Sequence, residues 1–302
     1  MVSSILDFVM NLEGSLVALV TPMKLDGSVD WLALDHLLEW HLDSGTNGIV
    51  PMGTTGESAT LDTDEHLKVI QRTIEVVSGR IPVIAGTGSN STAEAIHQTQ
   101  EAERAGADAC LLVTPYYNKP TQEGLYAHYE KIASETSVPI ILYNVPPRTA
   151  CDMSSDTIAR LSEVPGIVGV KEACGDAGRV QDIRSLVQDD FIILSGEDAQ
   201  TRQMFDYGAS GTISVTANVL PREMSDFCQS YLSGDVSRCD ELDKLLQPIH
   251  EVLFIEVSPS PTKWVLAQMG KIDGGIRLPL LPLSEDNRAL VLKRVKEFGV
   301  IK

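Results

Sequence analysis

Eight short apolar runs, each bounded by glycine, proline or a polar turn residue, recur every 20 to 35 residues along the chain, and they restrict its fold more than any other feature. They begin at Ser15 (SLVALVT), Gly48 (GIVPM), Pro82 (PVIAG), Asp108 (DACLLVT), Pro139 (PIILYN), Gly166 (GIVGVK), Phe191 (FIILSG) and Gly211 (GTISV). Most are apolar throughout rather than alternating, which is the pattern of parallel strands covered on both faces. Helix-like stretches lie between them. Two of these open with capping-box spacing, Asp62 to Glu65 and Ser91 to Glu94, and EAERAGAD from Glu101 ends a helix at Gly106. Eight βα units in about 220 residues predict an α/β fold of the (β/α)8 TIM-barrel class rather than an open doubly wound sheet. The open sheet would carry G-x-G-x-x-G after its first strand; none stands there, and GTGSNS from Gly86 lacks the third glycine. From Asp235 the strand signal stops. SRCDELDKLLQPIHEVLF and SEDNRALVLKRVKEFGV read as helices joined by the Pro-rich stretch SPSPTKW. The expected organisation is a barrel over residues 1–234 and a C-terminal helical domain over 235–302.

A formal net charge of −18 argues against nucleic acid and anionic membrane surfaces as partners, although one local cation in a cleft still suffices for an anionic substrate. No apolar run reaches the length of a membrane span. The opening MVSSILDFVMNLEG has no basic start and carries Asp7 within its apolar part, so it reads as neither signal nor transit peptide. The five cysteines are odd in number and scattered, with no C-x-x-C pair, which suits reduced thiols in a cytoplasmic protein better than a disulfide framework or a zinc site. None of the six histidines forms H-x-x-x-H. A mechanism without metal or cofactor is expected.

In such a barrel the chemistry gathers at the carboxyl ends of the strands. Those ends read GTTGES from Gly53, TPYYN from Thr114, YNVPPRT from Tyr143, GVKEA from Gly169 and LSGEDA from Leu194. Lys171 follows an apolar run, and a partly desolvated amine there is a candidate nucleophile. The same position also suits a lysine that snorkels to solvent or pairs with Glu172. Thr54 and Thr55 lie in a glycine-bounded turn whose hydroxyls and N–H groups suit a carboxylate, or form an ordinary βα loop. Tyr116, Tyr117 and Tyr143 are either proton-passing phenols or rim aromatics. Arg148 could clamp a carboxylate or make a surface ion pair.

In this order these motifs, with VALVTPM, VIAGTGSNST and ISVTAN, resemble the dihydrodipicolinate synthase family of pyruvate-dependent aldolases, which also includes N-acetylneuraminate lyase. The likeness runs from about Gly14 to the C-terminus. It implies that Lys171 forms a Schiff base with pyruvate and that Tyr143 moves protons in a relay with Thr55 and with Tyr117, which reaches in from a neighbouring subunit. It further implies that the Thr54–Thr55 turn receives the pyruvate carboxylate and that Arg148 holds the carboxylate of L-aspartate 4-semialdehyde. The backbone at Gly196 and Ile213 would shape the pocket. The implied product is 4-hydroxy-tetrahydrodipicolinate, at the first committed step of the diaminopimelate route to lysine. The implied assembly is a homotetramer built as a dimer of dimers.

L-Lysine is implied as a feedback effector at Ser58, Ala59, His66, Asn90, Glu94 and Tyr116, although Thr63 stands where regulated relatives usually carry histidine. Glu94 also reads as the acidic half of a capping box with Ser91. Two other functions fit the motifs. One is a different class I pyruvate aldolase, acting on N-acetylneuraminate or a 2-keto-3-deoxy sugar acid, against which Arg148 argues. The other is a non-catalytic metabolite-binding barrel, for which Lys171, Tyr143, Thr55 and Tyr117 together have no evident use.

Overall fold

The eight apolar runs form eight short parallel strands in a computed structural model that describes residues 12–301; the N-terminal stretch read above as neither signal nor transit peptide lies almost wholly outside the described residues. The strands are β1 (Gly14–Ala18), β2 (Gly48–Val50), β3 (Ile84–Gly86), β4 (Ala109–Val113), β5 (Ile140–Asn144), β6 (Ile167–Glu172), β7 (Ile192–Ser195) and β8 (Gly211–Ser214). Their order is β2-β1-β8-β7-β6-β5-β4-β3, and a parallel bridge between Ile49 and Val83 joins the two ends, so the sheet closes as the expected (β/α)8 barrel.

Side chains along each strand alternate between two apolar layers. In β4, Ala109 and Leu111 point into the barrel with Leu16, Ala18, Ile141 and Ile213, while Cys110 and Leu112 point out toward the helices. This double burial explains why the runs lack a polar face. The register slips once, between β5 and β6. Ile140 pairs with Ile167 but Ile141 pairs with Gly169, so Val168 is left over. The extra residue changes the parity of the strand: Ile167 faces the helices, Val168 the barrel interior, and Val170 the helices again. Beyond the slip Lys171 pairs with Tyr143. An unslipped strand would have set Val170 opposite Tyr143 and turned the lysine away.

The barrel helices are α1 (Trp31–Asp43), α2 (Thr63–Val77), α3 (Thr92–Ala105), α4 (Gln122–Glu135), α5 (Ser155–Ser162), α6 (Gly178–Arg184), α7 (Thr201–Asp206) and α8 (Pro221–Leu232). Helix α3 ends at Gly106 with φ +94°, as its sequence predicts. Only half of each predicted capping box forms. Asp62 accepts from Glu65 N–H at 2.8 Å and Ser91 Oγ from Glu94 N–H at 3.5 Å, but neither glutamate reaches back. Stronger partners take them: Arg277 holds Glu65 at 2.7 and 2.8 Å, and Ser89 Oγ donates to Glu94 at 2.6 Å.

Three helices follow the barrel: α9 (Val236–Leu253), α10 (Ser260–Gln268) and α11 (Glu285–Phe298). The Pro-rich stretch is therefore not a plain connector. It starts α10, with Pro261 in the first turn, where the missing N–H costs no helical hydrogen bond. Cys239, Leu242, Leu246 and Ile249 of α9 share one apolar layer with Phe227 and Cys228 of α8.

Candidate active site

Lys171, the penultimate residue of β6, lies inside the barrel mouth and is only 5% exposed. Its Nζ lies 4.4 Å from the centroid of the Tyr143 ring. The snorkelling reading does not hold, because burial keeps the amine from bulk water. Pairing with Glu172 does not hold either. Glu172 points to the other side of the strand, where Asn144 Nδ2 donates to both of its carboxylate oxygens at 3.1 Å. Burial pushes that carboxyl up to about 7, against the opposing pull of Asn144 and of Arg179. Two lysines are buried among the described residues, and they differ in company. Lys263, on α10, donates to the carboxylate of Glu57, whereas Lys171 faces an aromatic ring and a cavity.

That cavity, about 70 Å³, is lined by Thr54, Thr55, Tyr143, Arg148, Gly196 and Ile213, among others, together with Lys171. Six of the residues marked by the sequence thus converge on the lysine. Thr54–Gly56 forms a single tight turn closed by Gly56 N–H to Gly53 C=O at 3.0 Å, and Thr21 Oγ1 donates to Gly56 C=O at 2.7 Å. Arg148 sits on a one-turn helix, Pro146–Thr149, that starts directly after β5. It is exposed at the cavity mouth. Gly196 provides room: a methyl group there would stand 2.7 Å from Ala173 Cβ and 2.9 Å from Lys171 Cε. After it, burial raises the Glu197 carboxyl above the ordinary range, and Asp198 accepts from the N–H groups of Val215 and Thr216 at 2.9 and 2.8 Å.

Tyr117 is not brought to this cavity. It is 88% exposed, with φ +72°, in a tight loop closed by Asn118 N–H to Tyr116 C=O at 2.8 Å. Two asparagines hold that loop crosswise. Asn118 Nδ2 donates to Asn90 C=O at 2.8 Å, and Asn90 Nδ2 donates to Tyr116 C=O at 3.1 Å. The bulky residue is therefore held in a conformation that side chains other than glycine seldom adopt.

A larger groove of about 430 Å³ adjoins the lysine cavity and shares Thr54, Val145, Arg148 and Ser258 with it. Ser58, Ala59, Thr63, His66, Glu94 and Tyr116 line it, and Asn90 stands behind Tyr116. His66 Nε2 lies 2.7 Å from Gly86 C=O, which assigns the proton to that nitrogen. Burial lowers the pKa of this imidazole. Sequence reasoning missed the contributions of the C-terminal helices. Phe254 and Ser258 line the lysine cavity, and Lys263 holds Glu57, yet nothing in their local sequence ties them to a barrel mouth.

The model of the Dihydrodipicolinate synthetase family matches residues 11–298. The chain is 56% identical over 272 residues to the 4-hydroxy-tetrahydrodipicolinate synthase of Teredinibacter turnerae, covering 90% of this chain and 94% of that protein. Among solved structures it is similar to the chloride-inhibited dihydrodipicolinate synthase of Acinetobacter baumannii complexed with pyruvate, at 50% identity and a TM-score of 0.95, over 96% of this chain and 100% of the other. It is also similar to the enzyme of Cyanidioschyzon merolae with lysine bound, at 34% identity and a TM-score of 0.92, over 96% and 99%. By sequence and by structure the chain belongs to the dihydrodipicolinate synthetase family.

Proposed function

We propose that this chain condenses pyruvate with L-aspartate 4-semialdehyde through a Schiff base on Lys171, giving 4-hydroxy-tetrahydrodipicolinate for the diaminopimelate route to lysine. The observation that carries the reading is a buried amine at the floor of a small cavity, facing Tyr143. The amine attacks the ketone of pyruvate, and loss of water leaves an iminium. The iminium acidifies the adjacent methyl group, and Tyr143, coupled to Thr55 and Tyr117, carries its proton away; such proton transfer is worth about 10²–10⁴ in rate. The enamine then attacks the aldehyde. The amino group of the second substrate adds to the iminium carbon, closes the ring and releases Lys171. The Thr54–Thr55 turn receives the pyruvate carboxylate and Arg148 the second one, which suits a short anionic aldehyde better than a polyhydroxylated chain.

In this reading Tyr117 serves the site of a neighbouring subunit, so the smallest active unit is a dimer and the assembly a homotetramer, a dimer of dimers. Its outward position in the asparagine-held loop supports this. L-Lysine is the effector, taken by the groove that holds Ser58, Ala59, His66, Glu94 and Tyr116. Residues 1–234 act as the catalytic barrel and 235–302 as the helical domain. Among the described residues no helix is long and apolar enough to cross a membrane, and the cytoplasm is the proposed compartment.

Pyruvate with borohydride, followed by peptide mass spectrometry, tests the chemistry: a reduced adduct on Lys171 is expected. Its absence favours a barrel that only binds metabolites. With an adduct in hand, an aldehyde panel separates the substrates. Cleavage of N-acetylneuraminate faster than condensation with aspartate semialdehyde overturns the substrate assignment.

A further inference from the structure

The turn that carries Thr54 and Thr55 does not stand on barrel contacts alone. The residue that caps it, Glu57, adopts φ +59° and adds a second closing bond, its N–H on Thr54 C=O at 3.1 Å. The side chain then runs inward, wholly buried, to the C-terminal helices. One carboxylate oxygen accepts from Lys263 Nζ on α10, and the other accepts from Arg277 N–H at 3.0 Å. Lys263 is itself buried, and 206 positions separate it from Glu57 in the chain.

A buried ion pair is a poor stabiliser. Desolvation offsets most of its attraction, and an apolar pair of similar size often serves the fold as well. What it supplies is direction, because both groups must meet in one geometry or leave a charge buried alone. Here that geometry fixes the end of a turn two residues from a hydroxyl at the lysine cavity. The same C-terminal segment lends Ser258 to the cavity wall. A nearby ion pair of the same segment, the Arg277 guanidinium with Glu65, fastens α2 instead, and only the backbone N–H of Arg277 reaches Glu57.

We infer that Glu57 and Lys263 are positioning residues for pyruvate: their buried ion pair sets the Thr54–Thr55 turn at the spacing from Lys171 that a 2-keto-acid carboxylate requires. The C-terminal helices thereby become part of the substrate site rather than an appendage. This rests on the reading of that turn as the pyruvate carboxylate site.

Steady-state kinetics of Glu57→Gln, Lys263→Met, Lys263→Arg and Glu65→Gln in the full chain test it. A misplaced binding group costs about 10–100-fold, so the pyruvate KM should rise by about that factor in Glu57→Gln and Lys263→Met. The aldehyde KM should move far less, while kcat should fall as well, because Thr55 of the same turn belongs to the proton relay. Lys263→Arg, which keeps the charge, should restore most of the pyruvate KM. Glu65→Gln, which breaks the neighbouring pair, should leave it at the wild-type value. If a single variant fails to fold, the double variant Glu57→Met with Lys263→Met replaces the pair by apolar groups and should fold while keeping the raised KM. A wild-type pyruvate KM in any folded variant lacking the pair, or an equal rise in Glu65→Gln, overturns the proposal. Amide hydrogen exchange at Thr54–Gly56 reads the turn without substrate: it should quicken in Glu57→Gln, and unchanged exchange also overturns the proposal. Failure of wild-type enzyme to trap pyruvate at Lys171 would instead strike the parent reading.

Discussion

Gly196 and Lys171 approach so closely that a methyl group added to the glycine would stand 2.9 Å from Lys171 Cε. Ala173 Cβ at 2.7 Å and Glu172 C=O at 3.1 Å bar retreat on the other sides, so the lysine stem is the part that must move. Overpacking of this kind costs about 1–3 kcal/mol, which a barrel of this size should survive. An amine that has the proposed Schiff-base role is less tolerant, since a shift of about 1 Å can cost about 10²-fold in rate. Gly196→Ala is therefore expected to fold, by circular dichroism, and to lose kcat/KM for pyruvate by roughly that factor. A folded variant with wild-type kcat/KM would show that the glycine is not there to make room for the lysine.

The outward reach of Tyr117 makes a prediction about assembly. If each Tyr117 completes a neighbour's relay, Tyr117→Phe should lower kcat by about 10²-fold or more, the usual worth of a positioned proton carrier. Lys171→Ala should abolish turnover. Mixing the impaired and the inactive protein under conditions that exchange subunits should raise activity well above that of Tyr117→Phe alone, because one kind of mixed site has both Lys171 and a neighbour's Tyr117. No recovery after verified exchange would place the tyrosine's action within its own chain.

Much of this was legible in sequence because it is local. Glycine and proline punctuate the strands, apolar runs on both faces mark parallel strands, and the strand ends carry the motifs that meet at Lys171. What was not legible depends on distant or parity-sensitive facts. GIVGVK looks like an even apolar run, yet the slip at Val168 decides that Lys171 faces the cavity. Glu94 has the spacing of a capping box, but Ser89, folded back beside it, takes its carboxylate. Glu57 was visible within GTTGES with no assigned part, since its partner Lys263 lies far along the chain in a stretch that read as a connector.

For the groove beside the site, the expectation is inhibition by L-lysine, perceptible at millimolar concentration. Two carboxylates line it: Glu57 is taken by Lys263, whereas Glu94, pre-set by the 2.6 Å bond from Ser89, suits the effector's ammonium group. Glu94→Gln keeps the shape and removes the charge. Losing one charge-assisted hydrogen bond of about 1.5–3 kcal/mol should weaken inhibition by about tenfold or more while uninhibited kcat holds. Initial rates against L-lysine concentration decide this. Insensitivity of the wild-type chain at millimolar lysine would remove the effector from the reading.

Glu172 offers a prediction about stability and pH. Its folded pKa is raised to about 7 by burial, despite Asn144 and Arg179, while the unfolded chain's glutamate titrates near its ordinary value of about 4.5. Between those two values the folded state holds a proton that the unfolded state has released. The contribution is thus complete below about 4.5 and is lost as pH rises through about 7, a change of about 1–3 kcal/mol. Buried His41 and His128 run the other way: burial lowers them to about 3 and about 4, so they add stability as pH rises toward the ordinary histidine value. The wild-type profile alone therefore mixes opposing slopes. Glu172→Gln stays neutral throughout and isolates one of them. Urea unfolding of both proteins at about pH 5 and about pH 8 should give the variant a gain that is larger at the higher pH by about 1–3 kcal/mol. An equal difference at both pH values would mean that Glu172 ionises in the fold much as it does in the open chain.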